Sequence, residues 1–387
     1  MTRKNFDLNS IVRPNILVLK PYRCARDDYT SGILLDANEN AFGPAATIDP
    51  AGYGDHRYPD PYQVDIKEKL VSLRNLRTIK QIFVGVGSDE VIDLVMRIFC
   101  IPGKDKILIT PPTYGMYSVQ AQINDVEVVK VMLDVEEGKF QLRLNDIDEA
   151  IRNNPDIKII FLCSPGNPTG TSLTHESIRA VLENPHYRGI VVVDEAYVDF
   201  VTDETRGSVA SWVHEYPNLL VMQTLSKSFG LAGIRLGVAI ANPDIIQIMN
   251  NTKAPYNIGN PSSRIANEAL SPTGIQTMLS NRALIHEQRD RLLRELGDPN
   301  KRPEGIGRIL GANDANFLLV QILDKSGRPS NKRAEGIYRS LAETRGVVVR
   351  FRGNDPGCEA CLRITVGTVE ENDILLNELR KALANIE

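Results

Sequence analysis

The sequence predicts an α/β fold in which a mostly parallel sheet lies between helices, with a smaller α/β unit after it. Two observations carry this. Short continuous apolar runs alternate with amphipathic stretches through the middle of the chain, and a length of 387 residues exceeds what one core usually serves. The runs 106–109, 157–163, 190–193, 219–223 and 236–240 are apolar or nearly so, as strands buried on both faces must be, and each stops at a polar, Gly or Pro cluster. From 271 to 295 the period turns helical, with Met278, Leu284, Leu292 and Leu293 among charged residues, and this helix bridges to the second unit. There, 317–323, 347–351 and 361–366 read as strands, 334–343 as a helix and 328–333 as a polar loop. Thr368 and Glu371 form a capping box for a C-terminal helix. The expected division is an N-terminal arm at 1–35 that packs on the small domain and a partner subunit, a large domain at 36–272 and a small one at 273–387.

Composition narrows the function. Hydrophobic residues make up 42%, charged residues 24%, and the net charge is -4, so there is no basic excess to neutralise a nucleic-acid backbone. The N-terminus lacks the apolar stretch of a signal peptide and no run is long enough to span a bilayer, which predicts a cytoplasmic protein. Five cysteines at irregular positions fit reduced thiols, with Cys24, Cys100 and Cys163 in packing roles. Cys358 and Cys361 form a C-x-x-C, but no second pair or nearby His completes a zinc site, and no metal is expected.

In open parallel sheets ligands bind beyond the carboxyl ends of the strands, so the residues after each run are the ones to inspect. Ser164-Pro-Gly-Asn167-Pro-Thr-Gly170 follows one, Asp194-Glu-Ala-Tyr197 the next, and Thr224-Leu-Ser226-Lys227-Ser-Phe-Gly-Leu-Ala-Gly-Ile-Arg235 a third. Taken singly each has a duller reading: Asn-Pro-Thr-Gly is a capped turn, Asp-Glu a helix cap, and Ser-Lys-Ser an exposed loop. Jointly they gather what pyridoxal phosphate (PLP) requires: an amine for its aldehyde, an anion for its ring nitrogen, donors for its phenolate oxygen, and N–H groups with a cation for its phosphate. Lys227 is the amine. A free lysine is uncharged at neutral pH only about once in a few thousand molecules, so it needs a buried or cationic setting, which Arg235 and a strand end supply. Asp194 faces the ring nitrogen, and Tyr197 and Asn167 donate to the phenolate oxygen. Gly85-Val-Gly87-Ser88-Asp89-Glu90 opens a helix whose N-terminus takes the phosphate, with Thr224, Ser226 and Arg235 around it. Arg350 and Arg363 are the candidate cations for anionic substrates.

These segments, in this order, resemble the fold-type-I aminotransferases. Further segments resemble the histidinol-phosphate branch: Pro21-Tyr22-x-x-Ala-Arg26, Leu35-Asp-Ala-Asn38-Glu39-Asn40, Arg57-Tyr58-Pro59, Pro112-Thr-Tyr114-Gly-Met-Tyr117 and Cys361-Leu-Arg363-Ile-Thr-Val-Gly-Thr368. The resemblance runs from about Arg13 to the C-terminus. It implies a PLP-dependent homodimer in which Lys227 holds the cofactor as a Schiff base. Tyr58 reaches the neighbouring subunit's cofactor phosphate, and Tyr114 lies near the ring. Tyr22, Asn38, Arg350 and Arg363 meet substrate. The implied reaction is ping-pong transamination of histidinol phosphate with 2-oxoglutarate in histidine biosynthesis, with Arg363 taking the glutamate α-carboxylate in one half-reaction and the phosphate in the other. An aromatic aminotransferase, a PLP decarboxylase acting on a phosphorylated amino acid and a non-catalytic PLP-binding regulator are the alternatives. The segment 353–360 matches no readable pattern.

Overall fold

A strand covered on both faces needs an apolar residue at every position, and this is how the central strands are built. The computed structural model describes residues 6–20, 36–40 and 54–386. Seven strands, β1 (Ile82–Val86), β2 (Lys106–Ile109), β3 (Glu127–Lys130), β4 (Ile157–Cys163), β5 (Ile190–Asp194), β6 (Leu219–Thr224) and β7 (Leu236–Ala241), form one sheet in the order β1-β7-β6-β5-β4-β2-β3. All neighbours are parallel except β7, which runs antiparallel to both β1 and β6. Alternate residues feed separate cores: Ile160, Leu162, Val191, Val193 and Val221 on one face, Ile159, Phe161, Ile190, Val192 and Met222 on the other. Each such side chain contributes about 1.5–3 kcal/mol on burial.

Among the described residues, nine helices flank this sheet: α1 (Leu8–Ile11), α2 (Pro14–Leu17), α3 (Val64–Leu73), α4 (Gly87–Phe99), α5 (Met116–Ile123), α6 (Leu144–Asn153), α7 (His175–Leu182), α8 (Pro243–Thr252) and α9 (Asn260–Ala269). In α4, Val91, Ile92, Val95, Met96, Ile98 and Phe99 recur at three- and four-residue spacing and are all buried.

A second sheet of four antiparallel strands, β8 (Ile306–Leu310), β9 (Phe317–Ile322), β10 (Arg350–Phe351) and β11 (Cys361–Thr365), has the order β10-β11-β9-β8. The 26-residue helix α10 (Pro272–Gly297) leads into it, and α11 (Asn331–Thr344) and α12 (Val369–Asn385) accompany it. Leu292, Leu296, Leu318, Val320, Ile337, Leu362 and Leu379 form its own core. The capping box is present: the Glu371 N–H donates to Thr368 Oγ1 at 3.2 Å and the Thr368 N–H to Glu371 Oε2 at 2.9 Å.

The structure departs from the sequence reading in four places. Strands β1, β3 and β8 were not anticipated; β3 has charged, exposed ends at a sheet edge, and such a pattern carries little hydrophobic signal. The expected loop at 328–333 is partly helix, because Ser330 caps α11 and buried Arg333 donates to the carbonyls of Leu383 and Ile386 at the end of α12. The expected strand at 347–351 shrinks to two residues, with Val348 76% exposed. Finally, the described part of the N-terminal arm packs on the large sheet's helical layer rather than on the small unit. Ile11 and Val12 enter the core beside Phe99 and Cys100, and Arg13 satisfies the last turn of α4 through Ile98 O and Arg97 O. The remainder of the arm, Tyr22 and Arg26 included, lies outside the described residues.

Candidate active site

Because β7 runs against its neighbours, its first residue lies at the same edge as the last residues of β1, β5 and β6. Thr224 pairs with Gly237, and Val86 with Leu236. This brings the start of α4, the loop after β6 and Arg235 together. Two glycines permit the approach. Gly87 has φ +71 and an added Cβ would overlap the Arg235 guanidinium, while a Cβ on Gly237 would overlap the backbone of Gly87 and Ser88.

At this edge lies a cavity of about 600 Å³. Its lining includes Ser88, Asp89, Tyr114, Asn167, Asp194, Tyr197, Thr224, Ser226, Lys227, Arg235, Arg350 and Arg363, all expected at the site from the sequence, and also Met116 and Arg352, which were given no role there, and Cys163, which was read as packing. Tyr58 and Asn38 do not line it. Tyr58 is 50% exposed and stacks on Tyr256 with ring centroids 4.6 Å apart. Asn38 adopts a left-handed turn, φ 55, next to Glu39, which pairs with Arg57 and accepts the Tyr58 N–H.

Asp194 ends β5 and is buried. Its Oδ2 accepts the Tyr117 hydroxyl at 2.6 Å, and its Oδ1 accepts the Ala196 N–H at 3.1 Å. Burial pushes the Asp194 carboxyl up, against these two hydrogen bonds. Such a carboxylate is suited to a partner that brings a positive N–H. Tyr117 stacks on Phe161 at 4.6 Å, so the acid is positioned from below by a buried phenol. The sequence reading gave Tyr117 no role. Its signal was spacing: it lies one helical turn past Tyr114, at the start of α5.

Lys227 follows β6, with its Nζ 5.5 Å from the Tyr197 ring centroid. Burial first, then the Arg363 guanidinium, lower its pKa, while Asp194 and Asp89 oppose them. Arg235 contributes least of the named causes, so the cationic setting expected of Arg235 comes chiefly from Arg363. The next residue anchors the loop, since the Ser228 hydroxyl donates to Asp199, itself held by Arg74 at 2.8 Å.

On the opposite side, Arg363 Nη1 donates to Asn167 Oδ1 at 2.6 Å and the guanidinium lies 5.3 Å from the Phe317 ring centroid. With its oxygen engaged, Asn167 turns its NH₂ to other partners. The Arg363 Nε is buried and finds no hydrogen-bond partner among the described residues. Toward the other end, α4 opens with Gly87, Ser88 and Asp89, Arg235 pairs with Asp89 at 3.1 Å, and Thr224 and Ser226 are linked through their hydroxyls at 2.9 Å. A helix N-terminus, a guanidinium and two hydroxyls make an anion site. A basic amine, a buried acid and this anion cradle, all lining one cavity, therefore fit PLP in chemistry.

The family described as "Aminotransferase class I and II" matches residues 30–379. The histidinol-phosphate aminotransferase of Schizosaccharomyces pombe is 52% identical, covering 98% of this chain and 98% of its own. The chain belongs to the class I and II aminotransferases, on the histidinol-phosphate branch. A second relative of this aminotransferase, the histidinol-phosphate aminotransferase of Saccharomyces cerevisiae, is 47% identical with 98% of each chain covered. Among solved structures, the histidinol-phosphate aminotransferase of Sinorhizobium meliloti in complex with pyridoxal-5'-phosphate shares the fold, with a TM-score of 0.74 at 22% identity over 90% of each chain. As an aminotransferase of this family the protein is a PLP-dependent enzyme acting on small molecules. No helix among its described residues is long and apolar enough to cross a membrane.

Proposed function

We propose that this aminotransferase moves the amino group of L-histidinol phosphate to 2-oxoglutarate, in histidine biosynthesis, by a ping-pong route through one cavity. The observation that carries the reading is the guanidinium group of Arg363, partly unpaired and beside Lys227, in a cavity that also holds Arg350. Both substrates carry an anion away from the reacting carbon, and planar guanidiniums accept carboxylate and phosphate alike.

The roles follow from position. Lys227 is the amine that holds the cofactor and, when released, moves the proton at the substrate α-carbon as acid and base. Asp194, oriented by Tyr117, keeps the ring nitrogen protonated. Asn167 and Tyr197 donate toward the phenolate oxygen. Ser88, Asp89, Thr224, Ser226 and Arg235 surround the phosphate, through the first N–H groups of α4 and the hydroxyls. When bound, PLP supplies an electron sink for the charge left after the α-proton departs. Tyr114 covers the ring region. Residues 36–272 form the cofactor domain and 273–387 the small domain, and Tyr58, exposed and stacked on Tyr256, serves the phosphate of a second subunit in a homodimer.

Turnover of the purified holoenzyme with histidinol phosphate, phenylalanine and threonine phosphate, each with 2-oxoglutarate, tests the reading. Histidinol phosphate should give the highest kcat/KM. A preference for phenylalanine, or carbon dioxide release from threonine phosphate, would overturn it.

A further inference from the structure

The edge of the small sheet carries three arginines toward the cavity, not two. Arg350 stands opposite Arg363 in the β10–β11 ladder, and the ladder continues one step, since the Arg352 N–H donates to Cys361 O at 2.8 Å. Strand side chains alternate, so Arg350 and Arg352 share a face while Phe351 turns into the small core. The two differ in setting. Arg350 is exposed, whereas the Arg352 side chain is only 20% exposed and acts on Arg363 more strongly than Arg350 does. Three residues on, Asp355 holds the Arg352 Nε at 2.6 Å. Its carboxyl is pushed up by burial, with Arg352 as the principal cation opposing that. This contact is an ion pair rather than a hydrogen bond, since Nε finds no hydrogen-bond partner among the described residues, and it leaves the two terminal nitrogens of the guanidinium for a ligand.

Among the described residues, the formal charges of this cluster are the three guanidiniums and the Asp355 carboxylate. The two substrates differ there, because a phosphate monoester carries close to two negative charges and a carboxylate one. The geometry points to Arg352 as a specificity-determining residue: it supplies the second positive charge to a phosphate-bearing arm, with Asp355 as its resting counter-ion, while a carboxylate arm is held without it. This rests on the proposed pair of substrates, and it deepens that reading by separating the two half-reactions.

Stopped-flow half-reactions of the holoenzyme, followed by cofactor absorbance, test it with histidinol phosphate and with glutamate separately. R352Q should raise the KM for histidinol phosphate roughly 10- to 100-fold, the worth of a charge-assisted bidentate contact, with kcat nearly kept. Its glutamate half-reaction should stay within about threefold of wild type, which also shows that the variant is folded. R352K, which keeps the charge and loses the fork, should fall between, and R350Q should cost less than R352Q. Inorganic phosphate should inhibit the glutamate half-reaction of wild type and do so more weakly in R352Q. Equal losses in both half-reactions, a larger effect of R350Q, or unchanged phosphate inhibition would overturn the inference. Should wild type not react with histidinol phosphate at all, the proposed function fails, and phosphate inhibition alone then decides the role of Arg352.

Discussion

At the edge of the seven-stranded sheet, the reactive side chains follow strands buried on both faces, and neighbours hold them in place. Asp194 takes hydrogen bonds from Tyr117 and Ala196, and the loop of Lys227 is anchored through Ser228 to Asp199 and Arg74. On the facing edge of the four-stranded sheet, Arg350 and Arg352 sit on or just past a two-residue strand, with exposed Arg350 in its ladder and Arg352 tied by backbone bonds to Cys361 and Asp355 and by an ion pair to Asp355. The difference matches what each side must do. A cofactor that stays needs a fixed frame, whereas the site proposed to receive two different anions in turn, with Arg352 engaged by only one of them, is served by long side chains that can re-pair. Rigid support of the first kind is also what precise proton transfer requires.

The largest expected effect lies on the rigid side. Lys227→Ala should abolish the visible absorption of the lysine-bound cofactor and cut turnover about ten-thousand-fold, the upper range for a lost acid–base group. A spectrum and a rate close to wild type would break the contrast at its root. Next comes the acid and its support. Asp194→Ala should slow turnover roughly 100-fold and loosen the cofactor, and Tyr117→Phe should weaken cofactor binding about tenfold, the worth of one hydrogen bond to a charged group. Fluorescence titration of the apoproteins with PLP measures both. If Tyr117→Phe binds as wild type does, Asp194 is not positioned through the phenol.

The same contrast decides what the sequence makes legible. Buried parallel strands leave unbroken apolar runs, and turns after them leave dense motifs, so Asn167, Asp194, Thr224, Ser226, Lys227 and Arg235 were readable together, and the cavity gathers all of them. The small sheet's edge leaves neither signal. Arg350 was named there and Arg352 was not, although the alternation Arg350-Phe351-Arg352 already puts both arginines on one face. Tyr117 was missed for another reason: its partner Asp194 is 77 residues away, and no local pattern reports a contact at that separation. Segment 353–360 was opaque because its shape depends on tertiary bonds. Asn331 donates to Gly353 O and accepts the Ala360 N–H, and Ala360 sits at φ 60.

The smallest expected effect sharpens the comparison most, because it asks whether the two edges act on each other. Arg363, on the small sheet, lowers the pKa of Lys227 at the edge of the large one, second only to burial, whereas Arg235 stands last among the causes. Removing a cation that disfavours the charged amine must raise the pKa, so at any pH below it the neutral, nucleophilic fraction falls. In Arg363→Gln the acid limb of PLP capture by the apoprotein should therefore move to higher pH, and in Arg235→Gln it should move less. The midpoint of capture against pH isolates this from affinity, since a weaker phosphate contact lowers the rate at every pH without displacing the midpoint. Equal midpoints in wild type and Arg363→Gln would mean that the arginine edge binds anions without tuning the amine, and burial alone would then account for the reactivity of Lys227.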